Sequence, residues 1–129
     1  MPKLLLIAIS LLLSFQVSGE SNTQYVVLTN GLVANYGEPS LSRLKYIKVS
    51  VSVRVTSAGE AELVEYHRPI LLDTLVRIFT SSEEETMKSA DGKEAVRQLA
   101  LEELQTVMKA EEGDTVIADL LFTNFVVQR

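Results

Sequence analysis

The side chain with the broadest chemical repertoire in this chain is His67, the sole histidine among 129 residues. A zinc or iron site would need further nitrogen, sulfur or carboxylate ligands converging on one imidazole. The nearby carboxylates of Glu65 and Asp73 are two and six positions away, and those spacings do not place side chains on one helix face. The chain has no cysteine to supply a thiolate. We interpret His67 as a partly exposed helical residue and not as a metal ligand.

Two acidic runs, at residues 83–85 and 111–114, are the other candidates for ligand chemistry. A calcium loop needs alternating oxygen ligands around a central glycine and a closing bidentate carboxylate, and neither run has this pattern. The first run is typical of a helix N-terminus, and the second is interpreted as surface charge. The sequence also lacks a G-x-S-x-G nucleophile elbow and a glycine-rich phosphate loop. We therefore predict no catalytic residue, no metal or cofactor site, and a protein that is not an enzyme.

A basic strip is the one charge pattern that suggests an interaction. Four bases and no acids lie between Pro39 and Gly59, namely Arg43, Lys45, Lys48 and Arg54. Such bases commonly keep the solvent-exposed face of a strand soluble, or prevent a sheet edge from pairing with another strand. The alternative is contact with the acidic helices of neighbouring copies, since the helical segments hold most of the carboxylates. Under that alternative, Lys48 and Arg54 are the candidate self-association residues.

The N-terminus has the pattern of an export signal. Lys3 precedes an apolar run over residues 4–13, and Val17-Ser18-Gly19 has short residues at the positions that signal peptidase reads. The run is about half of the roughly 20 residues that a membrane span needs. We predict a secretory signal peptide at residues 1–19 and a single periplasmic domain at 20–129. The alternative is an uncleaved anchor in the inner membrane, extended through residue 17.

The charge of the mature chain argues against binding to nucleic acid. The formal net charge is −5, and removal of Lys3 with residues 1–19 makes it −6. Proteins bind phosphate backbones by releasing counterions with Lys and Arg. We therefore expect no nucleic-acid partner.

Three segments predict strands. Residues 25–33 form an apolar run with Asn30-Gly31 as a turn or bulge. Residues 43–55 alternate strictly, with Ile47 and four valines at odd positions and polar or aromatic residues at even positions, which predicts one buried and one wet face. Residues 115–127 are rich in β-branched and aromatic side chains. We expect the third strand to lie beside the second.

The segment between the second and third strands predicts helices. Residues 60–79 have apolar side chains at spacings of three and four, with Pro69 predicting a kink or a break near His67. Ser82 and Glu85 have the spacing of a capping box, and a longer helix follows from Asp91 to about residue 110, with Gly113 as its stop. The order predicts an α+β fold, in which a small antiparallel sheet of two N-terminal strands and one C-terminal strand packs with a block of two to three helices.

Five segments in this order resemble one protein family. They are Y-V-V-L-T-N-G-L-V-A-N-Y from residue 25, L-K-Y-I-K-V-S-V-S-V-R-V from residue 44, R-P-I-L-L-D-T-L-V-R-I-F-T-S-S from residue 68, D-G-K-E-A-V-R-Q-L-A-L-E-E-L from residue 91, and D-L-L-F-T-N-F-V-V-Q from residue 119. Together they are similar to the flagellar basal body-associated protein FliL family.

The resemblance implies both a fold and a function. It implies a periplasmic domain similar to the stomatin and prohibitin core domain, with no enzymatic activity and no cofactor. It further implies an accessory of the flagellar motor that self-associates around the stator's B subunit, as a homo-oligomer or together with an anchored relative. An alternative function with the same fold is a soluble periplasmic adaptor that acts outside the flagellum.

Overall fold

In the part of the chain that the structure describes, a three-stranded antiparallel sheet forms one layer. Its order is β1-β2-β3, with β2 (Tyr46–Val55) at the centre and β1 (Gln24–Asn35) and β3 (Asp119–Gln128) at the edges. The computed structural model describes residues 23–37 and 45–128. The predicted signal peptide, most of the β1–β2 linker and the first residues of the predicted second strand lie outside the described residues. The predicted α+β fold and the position of the third strand beside the second are confirmed.

Among the residues that the structure describes, four helices form the second layer: α1 (Ala58–Tyr66), α2 (Arg68–Thr80), α3 (Glu84–Lys88) and α4 (Ala90–Glu112). The count exceeds the two to three expected because one predicted segment forms both α1 and α2. The break falls at His67, and Pro69 lies in the first turn of α2, where its missing N–H removes no helical hydrogen bond. In residues 23–37 and 45–128, every helix falls short of the length and hydrophobicity that a membrane span requires.

The core lies between β2 and the helices. The odd-numbered residues of β2, from Ile47 to Val55, are fully buried, so the buried face predicted from the alternation is confirmed. The helices contribute buried side chains at spacings of four residues. These are Leu71, Leu75 and Phe79 from α2, and Ala100, Leu104 and Met108 from α4.

The ends of the helices differ from the predicted ones. The Ser82 and Glu85 capping box is wrong: the residue before α3 is Glu83, and the Ser82 hydroxyl donates to the Ile78 carbonyl at 2.8 Å. Serine hydroxyls readily bond to a carbonyl four residues earlier, and this bond competes with capping. Helix α4 begins earlier than predicted, because Ser89 Oγ accepts from the Gly92 N–H at 2.9 Å.

The connection between α4 and β3 is not a strand. Residues 115–118 precede the ladder, although the third strand was predicted from residue 115. Helix α4 ends at Gly113 in the left-handed conformation, as predicted, and Val116 also has a positive φ of 58°. Gln105 Nε2 donates to the Ile117 carbonyl at 2.8 Å. This hydrogen bond joins the connection to α4, just before the backbone N–H of Ala118 donates to the Arg54 carbonyl of β2 at 2.8 Å.

Candidate interaction surface

His67 is buried, which corrects its interpretation as a partly exposed helical residue. It lies at the junction of α1 and α2, and its Nε2 is 2.6 Å from Glu112 Oε1 at the end of α4. The two residues are 45 positions apart, so no local spacing predicts the contact. The sequence alone indicates only surface charge for Glu112. The pair instead holds the α1–α2 junction against the last turn of α4.

Glu112→Ala is expected to lower the free energy of unfolding by about 1 to 2 kcal/mol, because it leaves a buried imidazole nitrogen without its partner. The matched control is Glu111→Ala, which removes the adjacent carboxylate from an exposed position and should change stability by less than about 0.5 kcal/mol. Urea unfolding of the two variants measures the difference. Equal effects would show that the hydrogen bond to His67 contributes nothing to stability.

Two ion pairs fix helices against their neighbours. Lys45, which precedes β2, donates to Glu84 of α3, and Lys88 Nζ approaches the same carboxylate at 2.8 Å. The hydrogen bonds from these lysines lower the pKa of Glu84 to about 2. Arg97 of α4 pairs with Asp119 at the start of β3 at 2.9 Å, and within α4 its hydrogen bond to Glu94 lowers the pKa of that carboxyl to about 2. Lys45 is therefore neutralised within the fold and does not belong to an interaction surface.

The outward face of the sheet carries the remaining bases of the basic strip that the structure describes. Five cross-strand rows cover this face, each with one residue from β1, β2 and β3 in that order. The rows are Tyr25/Arg54/Asp119, Val27/Ser52/Leu121, Asn30/Ser50/Asn124, Val33/Lys48/Val126 and Asn35/Tyr46/Gln128. We call these fifteen positions the outer sheet face. Its central column is polar, whereas the flanking columns expose large apolar side chains.

Lys48 and Arg54 both lie on the outer sheet face, as the alternation predicted. They are six residues apart, or about 20 Å along the strand, so they are separate positions on one surface. The aliphatic part of the Lys48 side chain lies over Gly31, because a Cβ atom added at Gly31 would be 3.0 Å from Lys48 Cε. Gly31 lies at the register shift between Asn30 and Leu32, where the Asn30-Gly31 pair predicted a turn or bulge. Within the described residues, neither base forms an ion pair.

The sequence did not reveal the apolar flanks of the outer sheet face. Val33 is 58% exposed and Val126 is 38% exposed, on either side of Lys48. In the central column, Ser50 and Ser52 are buried although their side chains point outward. The Ser50 hydroxyl donates to Asn30 Oδ1 at 3.2 Å. An isolated strand pattern cannot predict this burial, because it depends on which side chains lie opposite.

The opposite surface of the molecule is acidic. Glu102 and Glu103 are exposed on α4, and within the described residues neither forms an ion pair. A groove of about 220 Å³ between α2 and α4 has Glu103 and the exposed Leu99 in its lining. The two layers thus present opposite charges, each beside exposed apolar side chains. This arrangement suits a contact in which the sheet of one copy meets the helices of the next.

The described residues contain no group of three or more His, Asp or Glu side chains that could hold a metal ion. For contact with a partner, the outer sheet face offers exposed apolar side chains, the charges of Lys48 and Arg54, and the backbone edges of β1 and β3.

Two comparisons with known proteins agree with the resemblance. A protein-family profile described as "Flagellar basal body-associated protein FliL" matches residues 25–128. The flagellar protein FliL of Aquifex aeolicus (strain VF5) is 22% identical over 96 residues, which is 74% of this chain and 56% of that relative. The chain thus spans just over half of the length of the curated relative.

Proposed function

Because this chain belongs to the FliL family of flagellar basal body-associated proteins, we propose that it is a non-enzymatic accessory protein of the bacterial flagellar motor. The observation that carries the proposal is the family match over residues 25–128, which takes in every described helix and strand except the first residue of β1. We further propose that the protein acts in the periplasm at the basal body. There it self-associates around the stator and contacts the stator's B subunit.

The charge distribution supports the proposed self-association. Lys48 and Arg54 lie on the outer sheet face, and Glu102 and Glu103 lie on α4 in the opposite layer. Contact between unlike surfaces of successive copies is heterologous, and such contacts produce a ring when the rotation between copies closes. Opposite charges on the two surfaces favour encounter in this orientation. The apolar side chains beside both charged sites, Val33 and Leu99 among them, add area to the contact.

The proposed role is tested by the motility of a strain that lacks the protein. We expect slower swimming, with the larger loss in viscous medium, where the load on the motor is greater. Swimming at wild-type speed in both dilute and viscous medium would overturn the flagellar role. That result, together with a gene neighbourhood free of flagellar genes, would favour the soluble periplasmic adaptor.

The head-to-tail contact is tested by charge reversal in the full chain. Lys48→Glu with Arg54→Glu should reduce the oligomer mass measured by light scattering, because like charges then meet. Adding Glu102→Lys and Glu103→Lys to the same chain should restore the mass, since the reversed charges again match. An unchanged mass in the first variant, or no recovery in the second, would contradict this contact.

A further inference from the structure

The two edges of the sheet are protected to different extents. Edge strand β1 has two register shifts against β2, between Val27 and Thr29 and between Asn30 and Leu32. Arg68 at the start of α2 also donates to the Val27 carbonyl at 2.8 Å and to the Leu28 carbonyl. Bulges and a covering side chain are the usual means by which proteins prevent edge strands from pairing. The β1 edge is therefore interrupted near its middle.

Edge strand β3 has much less protection. Between its first residue, Asp119, and its last, Gln128, no residue is charged and none is proline or glycine. Its single register shift lies opposite Ser50 and Val51, and residues 124–128 then pair regularly with β2. Arg97 Nη1 donates to the Leu120 carbonyl at 3.0 Å. Beyond that point, no side chain of the described residues hydrogen-bonds to the backbone of β3.

Apolar side chains are available on both faces of this edge. Leu121 and Val126 are 37% and 38% exposed on the outward face, and Phe122 and Phe125 are only half-buried on the inward face. A groove of about 370 Å³ runs between β3 and the first half of α4 and includes both phenylalanines in its lining. Lys93 Nζ lies 5.1 Å from the centre of the Phe125 ring at this groove.

We propose that β3 pairs antiparallel with β3 of a second copy, so that the two sheets become one six-stranded sheet. A strand added at this edge must be uncharged and must present apolar side chains alternately to both faces, and β3 itself has this pattern. The two-fold axis places the two grooves beside each other, so the half-exposed phenylalanines of both copies share one apolar layer. The contact is isologous and closes at two copies.

The charged side chains beside the groove are mostly paired within one copy. Lys93, Glu94 and Arg97 all contribute to the lining of the groove, and Glu94 pairs with Arg97. The pairing of two copies therefore depends on the backbone edge and the apolar side chains of β3 and not on charge. The pairing rests on the self-association in the proposed function, but it uses the β3 edge instead of Lys48, Arg54 and the acidic surface of α4. Because a two-fold contact is not part of a ring of head-to-tail contacts, the pairing joins a copy in one such ring to a copy in a second ring.

The experiment compares Val126→Lys with Val33→Lys in a full chain that already carries Lys48→Glu and Arg54→Glu. These two changes remove the head-to-tail contact, to which Val33 contributes area, so that the β3 dimer alone is measured. Both valines flank position 48 in one row of the outer sheet face, Val126 on the β3 edge and Val33 on the β1 edge. A lysine on an edge strand opposes pairing, so Val126→Lys should raise the dimer dissociation constant by about tenfold or more. Val33→Lys and the uncharged Val126→Thr should leave it within about twofold of the value for the chain without them.

A second measurement does not depend on any variant being folded. Amide hydrogen exchange of the wild-type chain at low and high protein concentration should show added protection at residues 121–127 and none at residues 24–35. Equal protection of both edges, no concentration dependence, or equal weakening by the two lysine variants would overturn the pairing. The flagellar role is tested separately, by the motility of the deletion strain. Head-to-tail assembly is also tested separately, by the charge-reversal variants.

Discussion

Phe79→Ala is expected to lower the free energy of unfolding by about 3 to 5 kcal/mol. Phe79 is fully buried on α2 and is the largest fully buried side chain of the described residues. Its ring centre lies 5.8 Å from that of Phe122 and 6.2 Å from that of Phe125, so it connects the helical layer to β3. Alanine removes the ring, leaves a cavity and removes both aromatic contacts.

The size of this effect matters because small domains have only about 5 to 15 kcal/mol of stability in total. Urea or thermal unfolding followed by circular dichroism measures the loss. The matched control is Tyr66→Ala on α1, since Tyr66 is 79% exposed and its loss should change stability by less than about 0.5 kcal/mol. If both variants lost similar stability, the aromatic cluster would not be a main source of the packing between helices and sheet.

Gly92→Ala is expected to destabilise the domain by about 2 to 3 kcal/mol, although alanine is normally the better helix former. Gly92 lies in the first turn of α4, where a Cβ atom would come within 2.0 Å of the Thr86 carbonyl oxygen in α3. That oxygen belongs to the backbone and cannot move away as a flexible side chain does. The short helix α3 would have to shift away from α4.

Gly59→Ala, at a comparable position in another helix, is expected to stabilise the domain, which is the opposite of the effect of Gly92→Ala. Gly59 lies in the first turn of α1, and the nearest atom to its added Cβ is Ser57 Oγ at 3.9 Å. Alanine there reduces the freedom of the unfolded chain and should stabilise the protein by about 0.5 kcal/mol. Chemical unfolding of both variants measures whether each change lowers or raises the free energy of unfolding. A neutral Gly92→Ala variant would mean that α3 and α4 are not held at the observed distance.

The aromatic cluster explains why β3 is both part of the core and open to contact. Phe122 and Phe125 lie 5.3 Å apart between centres and pack on the buried Phe79. Both rings are only half-buried, and both line the groove between β3 and the first half of α4. A second copy of β3 would complete the cover of these rings without changing the monomer.

The sequence determined the elements whose signals are local. The alternation from residue 47 to residue 55 fixed the buried face of β2, because a period of two can bury only one face of a strand. The helical spacings, the break beside Pro69 and the stop at Gly113 follow from equally local rules. The resemblance of five ordered segments indicated the family, which the match over residues 25–128 supports. The resemblance alone did not indicate which surface of the domain makes contacts.

Only the tertiary structure decided which side chains meet. The contact of His67 with Glu112 joins residues 45 positions apart, and the capping of α4 by Ser89 depends on where α3 ends. Likewise, the pairing of Lys45 with Glu84 removed one base from the predicted strip, whereas Lys48 and Arg54 stayed on the outer sheet face. Contacts between distant segments depend on the relative placement of whole elements, which is set by the shared core and not by any local pattern. For the same reason, the unequal protection of the β1 and β3 edges becomes visible only when the sheet is assembled.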